Sequence, residues 1–589
     1  METGAAVMYK SSGFREVVDM MASAFSSLST CFLVVTAAFF SHGIAVSGEV
    51  IAPNATALNG TYVGRYVAEY DQDFFLGIPF AQPPLGDLRF AHPHSLNTSF
   101  DGTRDATSYS SECVGYGSDQ WNYPISEDCL YLNVVRPANY SAYEPLPVGV
   151  WIHGGGFFEG GSPDQRYNLS FIVQNSVEID KPFIGVSFNY RLSAWGFLAS
   201  GQLAGEGTTN VALRDQRLAL HWIQENIRGF GGDPTKVTIW GESAGAISVG
   251  FHLVAYNGRD DKLFRGAIME SGNSVQQQGM WTADHYDAPY QALVDNVGCT
   301  DSIDVLGCLR SVPFVTLNAA INTTNATVWS PIIDGDFVAK LASYQLEAGD
   351  YVHVPIISGA NTDEGTAFGP MGINTTEEFL TYITNGTGLP RTPLAPALAE
   401  QILNAYPDAP CEGIPADLEC KRLNGTYGLQ YRRTSAYAGD AVFIASRRLQ
   451  CQTWAAGGTP AYCYRFNTRP NGISLESGVT HFQEVAFVFD NTNGYGYDMV
   501  PDPFDGVPES YFTLAKLMSR SWASFIYDLD PNSFRPNDTV TLQWPVYDTA
   551  NPQDFVWDAD LTELAFPEPD NYRADGISMI ISLNRAVHR

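Results

Sequence analysis

One fourteen-residue stretch, VTIWGESAGAISVG at 237–250, constrains the fold more than any other part of the chain. Its first four residues are apolar and largely β-branched, which is typical of a buried strand. The residues from Ala244 onward are small and apolar, which predicts a closely packed helix. Between them, GESAG at 241–245 matches the G-x-S-x-G pattern, in which a strand turns sharply into a helix and presents a serine at the turn. The stretch therefore predicts that Ser243 is a nucleophile beside a helix N-terminus.

A second glycine-rich segment, HGGG at 153–156, follows the apolar run 146–152. Three consecutive glycines allow backbone N–H groups to approach a ligand closely. A loop of this type, placed upstream of G-x-S-x-G, supplies further oxyanion-hole donors in esterases and lipases. We expect His153 itself to be structural rather than catalytic.

Apolar runs that predict strands recur along the chain, and helical patterns separate them. The predicted strands include 60–67, 146–152, 183–191, 264–269 and 354–358, and the apolar residues of 210–227 recur at helical spacing. Alternation of this kind predicts a large, mostly parallel sheet with helices on both faces. Because no linker or internal repeat divides the chain, we expect one catalytic domain with long insertions over residues 48–589.

The N-terminal segment and the charge indicate where the protein acts and what it does not bind. An apolar run at 29–40, followed by small residues at 43–48, is too short to span a bilayer comfortably and predicts a secretory signal over residues 1–47. An uncleaved signal anchor is the alternative, and no later stretch predicts a membrane span. The net charge of −31 excludes nucleic acid as an expected partner, because phosphate binding needs Lys and Arg.

Eight of the nine cysteines lie beyond the leader, which contains Cys31. An even number in an exported chain predicts disulfides, although eight cysteines allow 105 pairings. Pairing of sequence neighbours predicts the bonds Cys113–Cys129, Cys299–Cys308, Cys411–Cys420 and Cys451–Cys463. No C-x-x-C pair or His/Cys cluster predicts a metal site. Eleven N-x-S/T sequons predict a glycoprotein.

The general base should be a histidine that follows the serine and the acid in the chain. Downstream of the strand at 264–269 and of the helix that follows it, the candidates are His353, His481 and His588. His588 is the penultimate residue, where we expect poor order. His353 precedes an apolar strand, whereas sites lie beyond the carboxyl ends of strands. His481 lies in a polar, glycine-containing loop and is therefore the predicted base.

The acid is expected between Ser243 and His481, just past the end of a strand. The segment PIISGANTDEGT at 355–366 places two neighbouring carboxyls, Asp363 and Glu364, at such a position. The pattern alone does not choose between them.

Taken together, these motifs resemble the type-B carboxylesterase/lipase family, which includes cholinesterases and extracellular fungal esterases and lipases. The resemblance extends from about residue 63 to 547 and implies an α/β-hydrolase fold. It rests on the segments GIPFA (77–81), SEDCLYLN (126–133), HGGGF (153–157), NYR (189–191), DQRLAL (215–220), GESAG (241–245), DEG (363–365), GVTH (478–481) and WPVY (544–547).

The resemblance also implies roles for individual residues. The catalytic residues would be Ser243, Glu364 and His481. The oxyanion-hole donors would be the backbone N–H groups of Gly155, Gly156 and Ala244. The first two disulfides, Cys113–Cys129 and Cys299–Cys308, and the internal ion pairs Arg89–Glu127 and Arg191–Asp215 would be those of the family. The implied enzyme is a serine ester hydrolase that forms an acyl-enzyme on a small-molecule ester and needs no cofactor.

Three alternatives differ in substrate or in activity. A catalytically silent adhesion protein of the same fold would lack the triad residues, which are all present here. A cholinesterase-type enzyme is suggested only by Trp121, and Ala367 stands where an aromatic residue is usual. A triacylglycerol or sterol-ester lipase would have a long lid, whereas Cys113 and Cys129 enclose only fifteen residues. We therefore expect a carboxylesterase for soluble esters.

Overall fold

A computed structural model describes residues 52–138, 145–275, 279–324, 326–386, 391–534 and 543–589. The predicted leader, Cys31 and the sequons at Asn139, Asn325 and Asn537 lie outside the described residues. The described residues form one compact unit.

The central element is an eleven-stranded sheet. Its strands, in chain order, are β1 (Arg65–Val67), β2 (Gln72–Pro79), β3 (Tyr131–Pro137), β4 (Leu146–Ile152), β5 (Ile184–Phe188), β6 (Gly232–Glu242), β7 (Gly266–Glu270), β8 (Ile356–Asn361), β9 (Ala461–Phe466), β10 (Gln553–Trp557) and β11 (Ala565–Pro569). Their order across the sheet is β11-β10-β9-β8-β7-β6-β4-β5-β3-β2-β1.

The seven strands β4 to β10 are parallel, and antiparallel strands complete both edges. Every residue of β4, β5, β7 and β8 is buried, as expected for parallel strands that are covered on both faces. The prediction of a mostly parallel sheet is confirmed. All parallel strands end at the same edge, so the residues that follow them meet there.

Successive side chains of a strand point to opposite faces, and the two faces of the sheet have separate hydrophobic cores. On β4, Val148, Val150 and Ile152 belong to one core, whereas Trp151 belongs to the other. A third, smaller cluster joins the helices between residues 376 and 456 to the C-terminal helix.

Helices cover both faces of the sheet and form the insertions. They are Leu169–Glu178, Ser193–Phe197, Gly201–Glu206, Val211–Asn226, Ala244–Gly258, Asp287–Asn296, Val305–Ser311, Phe314–Thr323, Ala342–Ala348, Gly365–Phe368, Thr376–Asn385, Pro396–Ala405, Tyr431–Gly439, Ala445–Ala456, Val485–Val488, Glu509–Asp528 and Ala574–Ser582. Short strands Asn54–Ala57, Gly60–Val63 and Thr103–Asp105 form a separate three-stranded sheet.

All four predicted disulfides are present, namely Cys113–Cys129, Cys299–Cys308, Cys411–Cys420 and Cys451–Cys463. The two predicted ion pairs also form, at 2.7 Å for Arg89–Glu127 and 2.6 Å for Arg191–Asp215. Among the described residues, no single helix has the length and apolar character of a membrane span. The helices Val305–Ser311 and Phe314–Thr323 meet that criterion only together, across a bend of 113°.

The expectation of poor order at the C-terminus is wrong. The His588 carbonyl accepts a hydrogen bond from Met280 N at 2.7 Å, and its ring lies 4.3 Å from that of Trp281. Arg589 is 1% exposed. The end of the chain is ordered because the preceding helix, Ala574–Ser582, contributes Ile577 and Ile580 to the third hydrophobic cluster.

Candidate active site

Ser243 lies at the sharp turn between β6 and the helix Ala244–Gly258. Its φ of 52° and ψ of −122° are strained for a residue with a side chain. The flanking glycines make the turn possible: a Cβ on Gly245 would lie 2.0 Å from the Ile152 carbonyl oxygen, and one on Gly241 would lie 2.6 Å from Gly245. Ser243 N donates to the Glu270 carbonyl at 2.9 Å, which ties the turn to the end of β7.

A continuous chain of hydrogen bonds joins the three residues of the predicted triad. His481 Nε2 lies 2.9 Å from Ser243 Oγ, and His481 Nδ1 lies 2.7 Å from Glu364 Oε2. Glu364 is fully buried, whereas 14% of the His481 side chain is exposed. This arrangement can remove a proton from Ser243 and stabilise the charge that develops on the imidazole.

The two neighbouring carboxyls, which the sequence pattern could not distinguish, have different contacts. Glu364 faces His481, and its other oxygen accepts hydrogen bonds from Asn361 N at 2.8 Å and Ser271 Oγ at 2.5 Å. Asp363 instead accepts a hydrogen bond from Val479 N at 2.8 Å. Burial raises the pKa of Asp363 to about 7. Asp363 thus anchors the loop that carries His481, while Glu364 contacts the histidine itself.

The HGGG segment lies beside the serine, directly after β4. A Cβ on Gly154 would come within 3.3 Å of Ser243 Cβ. Gly155 and Gly156 have φ values of 90° and 60°, which favour glycine, and a Cβ on Gly155 would collide with the Glu159 carbonyl. His153 is buried and stacks on Tyr190 at 4.3 Å. Burial lowers the pKa of His153 to about 4, which agrees with a structural role.

Comparison with known proteins identifies the family of the chain. Residues 48–564 match the sequence profile of the carboxylesterase family. The chain belongs to this family. It is 33% identical to Lipase 2 of Diutina rugosa over 90% of its own length and 96% of that protein. It is also 33% identical to Secreted lipase 1 of Botryotinia fuckeliana, with coverages of 85% and 87%.

A solved structure agrees with this assignment. The crystal structure of Aspergillus niger EstA superimposes with a TM-score of 0.76 at 27% identity and covers 91% of this chain and 99% of its own. The α/β-hydrolase fold is confirmed, and the protein is a carboxylic ester hydrolase.

Two aromatic rings, neither of which we predicted to belong to the site, contact the histidine of this carboxylesterase. Phe443 stacks on the His481 imidazole at 4.8 Å with an interplanar angle of 8°, and Phe368 meets it edge-on at 4.9 Å. Phe443 belongs to a short π-helix, Asp440–Ile444, between two α-helices. Turns of this kind often occur at functional sites, but nothing in the sequence indicates that one forms here.

A group of buried carboxyls behind the triad was also not predicted. Glu242 precedes the serine, and its Oε1 lies 3.2 Å from His481 Nε2. Burial, with the nearby Glu484 and Glu364, raises the pKa of Glu242 well above its usual range. Burial and Glu364 also raise the pKa of Glu484 to about 7. Ser271 Oγ links two of these carboxyls, because it donates hydrogen bonds to Glu364 at 2.5 Å and Glu484 at 3.3 Å. The only sequence signal that could have indicated this group was the position of Glu242 directly before the serine in GESAG.

The other candidate residues lie apart from this cluster. His353 is exposed and contacts the Gly349 carbonyl, and His588 packs against Trp281. Trp121 is 71% exposed. Within the described part of the chain, no three His, Cys, Asp or Glu residues are arranged to hold a metal ion.

Proposed function

We propose that this carboxylesterase cleaves esters through a Ser243–His481–Glu364 triad and an acyl-enzyme intermediate. The observation that supports this proposal most directly is the unbroken hydrogen-bond chain from Ser243 Oγ through both ring nitrogens of His481 to Glu364. His481 would take the serine proton as Oγ attacks the ester carbonyl, and would then protonate the leaving alcohol. Water would repeat the sequence and release the acid.

The tetrahedral intermediate carries a negative oxygen that needs hydrogen-bond donors. Backbone N–H groups of Gly155, Gly156 and Ala244 are proposed for this role, because the first two follow β4 beside the serine and Ala244 begins the helix after it. Each donor of this kind is typically worth about 3–4 kcal/mol of activation free energy.

The test of the triad uses Ser243→Ala with hydrolysis of p-nitrophenyl esters as the assay. The variant should lose activity by several orders of magnitude and retain its thermal unfolding temperature. Ser446→Ala is a matched control, because Ser446 is also buried and its hydroxyl has no hydrogen-bond partner among the described residues. Near-normal activity in Ser243→Ala would contradict the proposal.

We also propose that the mature enzyme is exported as residues 48–589. The apolar leader segment, the sequons and four disulfides support export, and relatives in Botryotinia fuckeliana and Gibberella zeae are named as secreted lipases. Mass analysis of the protein recovered from culture medium should give an N-terminus beyond the leader. Retention of residues 1–47 in the secreted protein would contradict this boundary.

A second candidate activity is hydrolysis of triacylglycerols, because three of the most similar relatives are named lipases. We rank it below the hydrolysis of soluble esters because the loop between Cys113 and Cys129 is short. The two activities differ in their response to an oil–water interface.

A further inference from the structure

The loop between Cys113 and Cys129 lies against the turn that follows the glycines of the HGGG segment. Three consecutive residues of that turn form hydrogen bonds with the loop. The Phe158 carbonyl accepts a hydrogen bond from Tyr116 N at 2.7 Å, and the Glu159 carboxylate accepts one from Asp119 N at 3.2 Å. Gly160 bonds to the side chain of Gln120. The loop therefore contacts residues 158, 159 and 160 in succession.

Gln120 makes the most specific of these contacts. Its Nε2 donates to the Gly160 carbonyl at 3.0 Å, and its Oε1 accepts from Gly160 N at 3.3 Å. The amide thus satisfies both backbone groups of one residue, as a neighbouring strand would do. Nε2 also donates to Glu112 Oε2 at 3.2 Å, and Gln120 is only 8% exposed.

The turn held by Gln120 continues directly into the proposed oxyanion-hole donors. Phe158 N and Glu159 N both donate to the Gly155 carbonyl at 3.0 Å, so residues 155–159 form one closed turn. Gly155 and Gly156 have positive φ values. Glycine adopts positive and negative φ about equally readily, so the residue type alone does not fix this conformation. The contacts that the loop makes to residues 158–160 therefore add an external restraint to the turn that carries these N–H groups.

We propose that Gln120 is a positioning residue, which holds the N–H groups of Gly155 and Gly156 in the geometry that the tetrahedral oxyanion requires. The loop between Cys113 and Cys129 then acts as a fixed brace of the oxyanion hole. This inference rests on the proposed function of the site, because it assigns a task within that reaction. Donors of this kind act mainly in the transition state, so their misplacement lowers kcat more than it raises KM.

The variant Gln120→Met tests the proposal, since methionine has a similar length but cannot make the amide hydrogen bonds. With p-nitrophenyl butyrate, kcat should fall about 10- to 100-fold, the effect typical of a small misplacement, while KM changes little. A trifluoromethyl ketone with a butyl chain forms a tetrahedral adduct with a catalytic serine and needs the same donors. Its inhibition constant should rise by the same factor as kcat/KM falls.

Trp121→Ala is the matched control, because Trp121 is the next residue in the same loop and its side chain is 71% exposed. It should retain the wild-type kcat and inhibition constant. Hydrogen exchange of the peptide covering residues 153–160 gives a readout that does not depend on activity. Exchange should be faster in Gln120→Met than in the wild type and unchanged in Trp121→Ala.

The outcomes separate the brace from the proposed function. Unchanged kcat, inhibition constant and exchange in Gln120→Met would overturn the brace, as would equal losses in Trp121→Ala. A wild-type protein that hydrolyses no ester would contradict the proposed function, and the exchange of residues 153–160 would still decide whether Gln120 holds the turn.

Discussion

At the scale of single residues, Asp363 and Glu364 illustrate how neighbouring carboxyls acquire different tasks. Only Glu364 contacts His481, so Glu364→Gln should lower kcat roughly 10⁴-fold, because the amide favours the wrong tautomer of the histidine. Asp363→Asn is the matched control, since an asparagine oxygen can still accept the hydrogen bond from Val479 N. It should keep kcat close to the wild-type value. The reverse result in the ester assay would assign the acid to Asp363.

Glu112 provides a prediction about pH and stability. It is fully buried, and burial, with Asp164 and Asp119 nearby, raises its pKa from 4.5 to about 9. The unfolded chain therefore binds fewer protons than the folded protein between these values, and the free energy of unfolding falls as pH rises through that window. Below about pH 4.5 both states are protonated and the penalty is absent.

Glu112→Gln removes this titration and keeps an oxygen that can accept the hydrogen bond from Gln120. Urea unfolding at pH 5 and pH 8 should show that the variant gains stability relative to the wild type as pH rises, by a few kcal/mol at most. A stability difference between variant and wild type that is the same at both pH values would refute the raised pKa.

The sequence pattern alone led to Ser243, to His481 and to two possible acids for the proposed triad, because each lies in a short motif or past a strand end, and the family resemblance then implied Glu364. It could not predict Phe443, Ser271 or Glu484. These residues reach the site through tertiary packing of segments that are far apart in the chain, and none lies in a motif with a known geometric role.

At the scale of secondary structure elements, the sequence predicted where strands occur. It did not predict where one predicted strand divides into two. We predicted one strand over residues 60–67, but it divides into Gly60–Val63 and Arg65–Val67, which belong to different sheets. Gly64 separates them, and a Cβ there would lie 2.3 Å from the Phe74 carbonyl oxygen. This close approach depends on a neighbouring strand, so local sequence does not reveal it.

The π-helix Asp440–Ile444 leads to a prediction about the role of Phe443. It presents Phe443 flat against the His481 ring, so Phe443→Leu should release the imidazole and lower kcat several-fold. The loss of an aromatic contact should also cost about 0.5–1.5 kcal/mol of stability. Phe379→Leu is the control, because Phe379 is buried in the third hydrophobic cluster and pairs with Tyr437. It should lose similar stability but keep kcat. Equal kcat values for the two variants would contradict a role for Phe443 in holding the histidine.

At the scale of the whole molecule, the parallel sheet explains why the site could be predicted at all. Ser243, Glu364 and His481 follow three different strands, β6, β8 and β9, whose carboxyl ends meet at one edge. The C-terminus was predicted wrongly because its order comes from long-range contacts, both in the third hydrophobic cluster and with Met280 and Trp281, which a local rule about chain ends ignores.

The substrate preference is also a property of the whole molecule, because it depends on what covers the mouth of the site. A lid that docks on lipid must be long, mobile and apolar on one side. The loop between Cys113 and Cys129 has fifteen residues, and its residues Tyr116, Asp119 and Gln120 are bonded to the turn beside the proposed oxyanion hole. Arg166 also binds Asp119 in an ion pair of 2.7 Å.

We therefore expect the enzyme to need no interface for activity, although many relatives are named lipases. The hydrolysis rate of tributyrin, measured through its solubility limit, should follow a smooth saturating curve. The loop between Cys113 and Cys129 is fixed by its hydrogen bonds and so cannot act as a lid that opens at the surface of droplets. A soluble ester such as p-nitrophenyl butyrate serves as the reference for enzyme concentration and stability. A sharp rise in rate when droplets appear would favour the lipase alternative and would place an opening lid in another insertion of the chain.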